Sequence, residues 1–527
     1  MFGKTDTGST VVDWSKVVNF GPEIYFKPKT KESLIKFLNN QHETLENIRV
    51  IGSLHSCSHI NKSDCIIDVS GLPKEISFYD DNSRVKLSAN WLIKDFLKEA
   101  GMKRKSLPAT GGTNAQTLAG LISTNTAPAT KHVSIYDGLI SITYITLDSE
   151  NKNFVEKTVT RSQKEFFSIV CSIGCIGIIT EAEFELIDQP YYEVIQKVIP
   201  LEDVLGDIDK TSEEYNFWRI NWLSGTKKGL FWGAKQIPFS PEIAEGDYKR
   251  DHTTCILDIV FKIINKLPSL DIGPIMTNIM KIMYDIVASV YKTNKASGPL
   301  QNMLPVDRHV DMRVAMAEWS FSPSSLGRVL EIYENYFKNS GWPTIPTEIE
   351  LTKTDEYHMS PWNWKDESYI VKINIMYLSE VLSTKEKLIQ MYDHIKGLWD
   401  ALKKANIQFK AHWGKINFMD HQFVKGNFKL DSFLQLVNPI FVNEHLSKRL
   451  YDNPSSVVKQ CEPNLGEEFL PENLYRVSNH IRTVPNSFFK STEKTDVSYE
   501  EEKENKFYDR IYFGSDRERN QLEEGEQ

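Results

Sequence analysis

Six cysteines in 527 residues are too few for a disulfide framework, and their scarcity points to a reducing compartment. The closest regular pair, Cys171 and Cys175 in "CSIGCIG", lacks the spacing of a zinc knuckle and reads as two small buried residues. Basic residues are also in short supply. Lys and Arg number 62 against 71 Asp and Glu, a formal charge of −9, which argues against a nucleic-acid groove. No apolar run is long enough to span a membrane. The most apolar region, roughly Ile256 to Tyr291, is broken every few residues by Lys, Asp or Pro and reads as a set of amphipathic helices. The opening "MFGKTDTGSTVVDW" has no apolar core before a cleavage site and no glycine after Met1. Neither a signal peptide nor myristoylation is expected, and a cytoplasmic location is the default. A glycosylation-type triplet at Asn61 carries little weight without a secretory signal.

What is present is an ordinary globular composition, 40% hydrophobic and 25% charged, in a chain long enough for two or three domains. From Val18 to Pro190 short β-type runs alternate with helices. "KTKESLIKFLNNQ" sets Leu34, Phe37 and Leu38 on one helical face, and "NIRVIG", "CIIDVSGL", "RVKLSA", "SITYITL" and "GIITEAEFELI" read as strands. The pattern is α+β without regular βαβ repeats. Beyond Leu300 a strand and a helix alternate twice. "VAMAEWSF" precedes a helix with Leu326, Val329, Leu330, Tyr333 and Phe337 on one stripe. "YIVKINIMYL" precedes another, where Ser383 and Glu386 have capping-box spacing and Leu388, Tyr392, Ile395, Trp399 and Leu402 form the apolar face. This predicts a second domain on an antiparallel sheet. The expected division is 15–195, 196–430, a segment 431–480 returning to the first domain, and a charge-rich acidic tail 481–527 with few aliphatic residues.

Two stretches could carry chemistry. In "VIGSLHSCSHI" an apolar run stops at Gly52, and His55 follows a Gly-Ser turn. Metal ligand, catalytic base, covalent attachment point and plain loop residue are all readings of His55. His59, four residues on, reads as structural, and no further ligand cluster supports a metal site. In "PATGGTNAQTLAGLISTNT", turns rich in Gly, Ser and Thr offer N–H groups and hydroxyls that suit a pyrophosphate. The stretch is neither a Walker loop nor a GxGxxG fingerprint. By itself such a stretch is more often a tight turn than a nucleotide site.

In order, "RVIGSLHS", "TLAGLISTNT", "YDGLISITYIT" and "FSIVCSIGCIGIITEAEFEL" resemble the FAD-binding (PCMH-type) domain of the vanillyl-alcohol-oxidase superfamily. "AHWGK" at Ala411 to Lys415 resembles the H-W-[GA]-K signature of sugar-lactone and alditol oxidases, "PTEIEL" followed by "MSP" resembles that subfamily's P-V-E-x-R…S-P segment, and "VNPIFVNEHL" its D-P-x-x-x-F-x-N-x-Y-L ending. The resemblance implies a two-domain α+β flavoprotein with an antiparallel-sheet cap. It implies FAD contacts at Ile51, Gly52, Ser53, Leu54, His55, Ser56, Thr117, Gly120, Ser123, Thr124, Asn125, Gly177 and Ile178, with His55 bonded covalently to the flavin. It places the substrate chemistry at Glu348, Glu350, Asn374 and Lys415. The activity implied is oxidation of a CH–OH group of a sugar, polyol or sugar lactone, with O2 or another carrier as acceptor.

The chain also departs from that pattern. Asn125 stands where the family has glycine, and Ala127 and Pro128 where it has His-Gly. Leu54 replaces a common glycine, which predicts a backbone set farther from the cofactor. Glu350 takes the place of an arginine, and Asn374 that of a histidine. Two neighbouring carboxylates predict one raised pKa, and they would repel a carboxylate substrate. The bland alternative puts Glu348 and Glu350 on a solvent-facing strand edge, Lys415 on the surface, and His412 and Trp413 in a packing role. A flavin fold without turnover, kept for binding or structure, is the rival class. An aromatic-alcohol or amine dehydrogenase of the same superfamily is a third, against which "AHWGK" counts.

Overall fold

The computed structural model describes residues 4–6, 10–41, 45, 47–148, 150–246, 288–304, 313–379, 384–452 and 474–476, with Leu382 and most of 281–286. The stripe in "KESLIKFLNNQ" becomes α1 (Lys31–Gln41), which buries Leu34, Phe37 and Leu38. It joins β1 (Ile24–Phe26) to β2 (Ile48–Ile51), and both strands pair in parallel with β3 (Cys65–Asp68). The sequence pattern, which holds no regular βαβ repeats, did not single out this local β-α-β unit. Its first strand has three residues, all buried, too few to show a period.

A five-stranded antiparallel sheet follows. It is built from β4 (Ile76–Tyr79), β5 (Arg84–Ser88), β6 (Leu139–Asp148), β7 (Asn153–Thr160) and β8 (Ile178–Glu185), in the order β7-β6-β8-β5-β4. Between β5 and β6 lie α2 (Ile93–Met102) and the short α3 (Leu118–Thr124), which ends at Asn125 in the left-handed conformation (φ 54°). Asparagine is the side chain that best replaces glycine at such a helix end, so this departure keeps the backbone path.

The second half is one eight-stranded antiparallel sheet. Its strands are β9 (Tyr191–Pro200), β10 (Phe217–Trp222), β11 (Lys228–Ile237), β12 (Asn294–Pro299), β13 (Val314–Phe321), β14 (Thr347–Lys353), β15 (Tyr369–Leu378) and β16 (Lys410–Ala411), in the order β12-β9-β11-β10-β14-β15-β13-β16. Period-2 alternation gives this sheet two unlike faces. One carries Ile220, Ile349, Ile373, Ile375, Ala317 and Trp319, and these register positions share a core with α4 (Leu326–Ser340) and α5 (Lys385–Lys404). The other carries Arg219, Glu348, Glu350, Lys372, Asn374, Glu318 and Lys410.

On α4, Leu326, Val329, Tyr333 and Phe337 are buried and Leu330 is half-buried. On α5 the cap is Thr384, whose hydroxyl accepts from the Lys387 N–H; Ser383 lies outside the described residues. After β16 the chain crosses back. Asn443, which caps α6 (Glu444–Leu450), donates to the carbonyls of His59, Ile60 and Lys62, and Leu474–Arg476 pairs with β1. Most of the apolar region 256–291 and all of the acidic tail 481–527 lie outside the described residues. Within the former, Tyr284 is buried while Ile282 and Ile286 are exposed. Among the described residues no helix is long and apolar enough to cross a membrane.

Candidate active site

The turn after β2 is tight for stated reasons. A Cβ on Gly52 would stand 2.2 Å from Thr117 Oγ1, so only glycine lets the turn close on the start of α3. Thr117 caps that helix by accepting from the Gly120 N–H at 3.2 Å. Gly52 thus meets the Thr117–Gly120 cap, which lies far along the sequence. Leu54 holds a left-handed backbone (φ 56°), a conformation that costs a branched residue about 1–2 kcal/mol. Its side chain is buried with Val11, Tyr25, Ile51 and Ile66. The turn therefore keeps the conformation glycine would adopt, and the leucine is anchored in the core behind it. His55 is half-buried, its ring tilted against Trp14 at 5.3 Å between centroids.

The "AHWGK" turn packs directly on this one. The Cys57 N–H donates to the Gly414 carbonyl at 2.9 Å, and Ser58 Oγ donates to the Trp413 carbonyl at 2.7 Å, 355 positions away. A Cβ on Gly414 would meet Ser56 Oγ at 2.9 Å. His412 is buried; burial and the cations Lys415 and Lys372 hold its imidazole well below the ordinary histidine range. Trp413 is buried and donates to the Met359 carbonyl. Both residues fix the turn, and Lys415 follows them half-exposed. The His412 N–H then donates to the Glu318 carbonyl at 3.0 Å, joining the turn to the charged sheet face.

On that face the register puts Glu348 opposite Asn374 and Glu350 opposite Lys372. Asn374 Nδ2 donates to Glu348 Oε1 at 2.8 Å, and Arg219 Nη1 lies 3.2 Å from Glu348 Oε2. Lys372 Nζ lies 2.8 Å from Glu350 and 4.0 Å from Glu318, and donates to the Ala127 carbonyl at 3.2 Å. Neither glutamate is on a solvent-facing edge, for Glu350 is 6% exposed and the Glu348 side chain 13%. Burial holds the Glu350 carboxyl above the usual glutamate range, with Lys372 pulling against it and Glu348 adding a smaller push upward. Buried polar atoms are normally paired. Asn374 Oδ1 and Thr110 Oγ1 have no protein partner among the described residues, so each can take a hydroxyl or amide from a ligand.

Other residues named from sequence are used differently. Asn125 is fully buried and donates to Asp355 Oδ2 and Ser360 Oγ, each at 2.7 Å, while Trp362 Nε1 donates to its carbonyl. It ties α3 to the loop between β14 and β15. Ser123 and Thr124 lie in the last turn of α3, where the Ile173 N–H donates to the Ser123 carbonyl and Thr124 back-bonds to Gly120. Gly177 lets the chain pass β6, since a Cβ there would stand 2.4 Å from the Ile145 carbonyl oxygen. The Ile178 side chain packs in the core with Phe154 and Ile440. Among the described residues no cluster of three His, Cys, Asp or Glu is placed to hold a metal.

The model of the D-arabinono-1,4-lactone oxidase family matches residues 182–448, half of the chain. The chain belongs to that family. D-arabinono-1,4-lactone oxidase of Saccharomyces cerevisiae is 26% identical over 227 residues, 42% of each chain. L-gulonolactone oxidase of Scyliorhinus torazame is 21% identical over 453 residues, 83% of this chain and 98% of the relative. The match to the yeast lactone oxidases thus spans less than half of their length. Among solved structures, cholesterol oxidase from B. sterolicum superposes with a TM-score of 0.67 at 12% identity, covering 84% of this chain and 97% of that one, so the fold is shared.

Within this lactone oxidase family member, sequence reasoning missed Arg219 and Lys372. Each is a lone cation in an apolar strand, "NFWRINW" and "YIVKINIMYL". A charge at an alternating position of a buried strand needs a cross-strand partner, and that was the available signal.

Proposed function

We propose that this protein is an FAD-dependent oxidoreductase that oxidises a CH–OH group of a neutral sugar, polyol or sugar lactone, with Glu348 as the base. The observation that carries the reading is the meeting of the Gly52–Ser58 and His412–Lys415 turns at one edge of the charged sheet face. Family membership supports it, as do the names of the relatives.

The residues present fit the cofactor. The turn at Gly52 to Ser56 keeps its glycine-like path, and Thr110 Oγ1 is a buried oxygen with no protein partner among the described residues. His55 is the residue assigned to covalent attachment. Bound FAD would supply the hydride acceptor and pass the electrons to O2 or another carrier. The protein's part is to hold the alcohol and take its proton. Asn374 fixes Glu348 with its amide N–H and presents its oxygen to a substrate hydroxyl, and Glu348 removes the proton as the C–H bond breaks. Lys415 places a positive charge beside the two turns.

The rival, a retained fold without turnover, drew on Asn125, Ala127, Glu350 and Asn374. Each has a partner here: Asn125 clamps Asp355, the Ala127 carbonyl and Glu350 share Lys372, and Asn374 holds Glu348. These pairings support the enzymatic reading, because they describe a repacked site and not an eroded one. Acid denaturation of the purified protein tests the cofactor assignment. The yellow colour is expected to stay with the polypeptide and to be released in His55→Ala; a colourless native protein would overturn the reading.

A further inference from the structure

We infer that Arg219 is the positioning residue of this site, that it fixes the Glu348 carboxylate for proton removal, and that the glycine at 112 is there to seat its guanidinium. The inference rests on the functional reading above. In register Arg219 faces Glu350, and Asn221 faces Glu348. The guanidinium nevertheless reaches diagonally to Glu348, because Glu350 is taken by Lys372 from the other side. The two oxygens of Glu348 are therefore held by different strands, Oε2 by Arg219 of β10 and Oε1 by Asn374 of β15. A carboxylate gripped at both oxygens has one orientation, which is what a base needs in order to meet a hydroxyl at a fixed angle.

Two more contacts hold the guanidinium. It lies over the Trp232 ring at 5.2 Å. On another side is the "ATGG" loop, where a Cβ on Gly112 would stand 3.2 Å from Nη1 and 3.7 Å from Nη2. Glycine at 112 thus serves as space for a cation, a use distinct from cradling phosphate. The charged groups facing Glu348 are Arg219 from β10, Glu350 from its own strand, Lys372 from β15 and Glu318 from β13, with His412 and Lys415 beyond Glu318. Lys372 is committed to Glu350 and the Ala127 carbonyl, so Arg219 is the cation whose loss Glu348 feels most.

A double-mutant cycle on the full-length protein tests the pairing without turnover. At pH 8, Arg219→Met should lower the melting temperature by several degrees, and Arg219→Met with Glu348→Gln should recover at least half of that loss. Losses that simply add would overturn the inference. In anaerobic flavin reduction by a substrate alcohol, Arg219→Met and Gly112→Ala should both move the acid limb of the pH profile upward, and Arg219→Lys should restore part of the shift. A Gly112→Ala protein with the wild-type profile would refute the seating role, even if Arg219→Met fails to fold. If no alcohol reduces the flavin, the functional reading falls, while the cycle still decides the pairing.

Discussion

The two faces of the eight-stranded sheet come from the same strands and differ in almost everything else. Trp319 and Glu318 are neighbours in β13; one meets Tyr333, Trp399 and Phe409, the other faces Lys372. The aromatic face needs only volume and shape to be satisfied. The charged face is nearly as buried, with Lys372 2% exposed and Glu350 6%, and it is held by the Lys372–Glu350 and Arg219–Glu348 pairs, while Lys410 donates to the Asn363 carbonyl. Burying ions costs more than burying carbon, so a fold that sought stability alone would have filled this face with aliphatics. In the proposed reading the chemistry lies on this polar face, with the aromatic face as the core that supports it.

The comparison can be broken from the charged side first. Lys372→Met leaves Glu350 and Glu318 buried without their cation and should cost about 3–5 kcal/mol in chemical denaturation. Adding Glu350→Gln should return most of that loss, and a Lys372→Met protein of unchanged stability would mean the pair is solvated. From the other side, Trp319→Ala should cost a similar ~3–5 kcal/mol by leaving a cavity, with no change in the visible spectrum of any flavin bound. Loss of flavin in that variant would show that the faces are not separable.

A smaller effect separates the faces by pH. Asp355, which accepts from Asn125 and Ser360 beside the charged face, is pushed up to about 6 by burial. Its folded pKa lies above the unfolded value, so the carboxyl contributes stability below about pH 4 that is lost as the pH rises to about 6. Two units correspond to roughly 3 kcal/mol. Buried histidines such as His412 and His394 push the other way in the whole protein, so the readout is a difference: the stability of wild type relative to Asp355→Asn should fall across that window. A difference that grows with pH would contradict the account. The smallest effect lies behind the aromatic face, where Thr384→Ala removes the cap of α5 and should cost about 1 kcal/mol.

Periodicity made the aromatic face legible in advance. The stripes of α4 and α5 and the apolar strands are visible in sequence, because burial against helices imposes a repeat. The charged face was half legible. Glu348, Glu350, Asn374 and Lys415 stood in motifs, whereas Arg219 and Lys372 became meaningful only once the register set them beside those carboxylates. Leu54 and Asn125 replace glycine residues by type but keep glycine-like backbone angles, which residue type alone does not reveal. The cap of α5 lies at Thr384 instead of Ser383 because neighbouring hydroxyls are equivalent until the helix start is known.

The most direct test of the central claim is anaerobic bleaching of the flavin by a panel of neutral sugar lactones and polyols, in wild type and Glu348→Gln. The account predicts that wild type bleaches with at least one of them, and that Glu348→Gln holds its flavin but bleaches about 100- to 10,000-fold more slowly. A Glu348→Gln protein that bleaches as fast as wild type would contradict it.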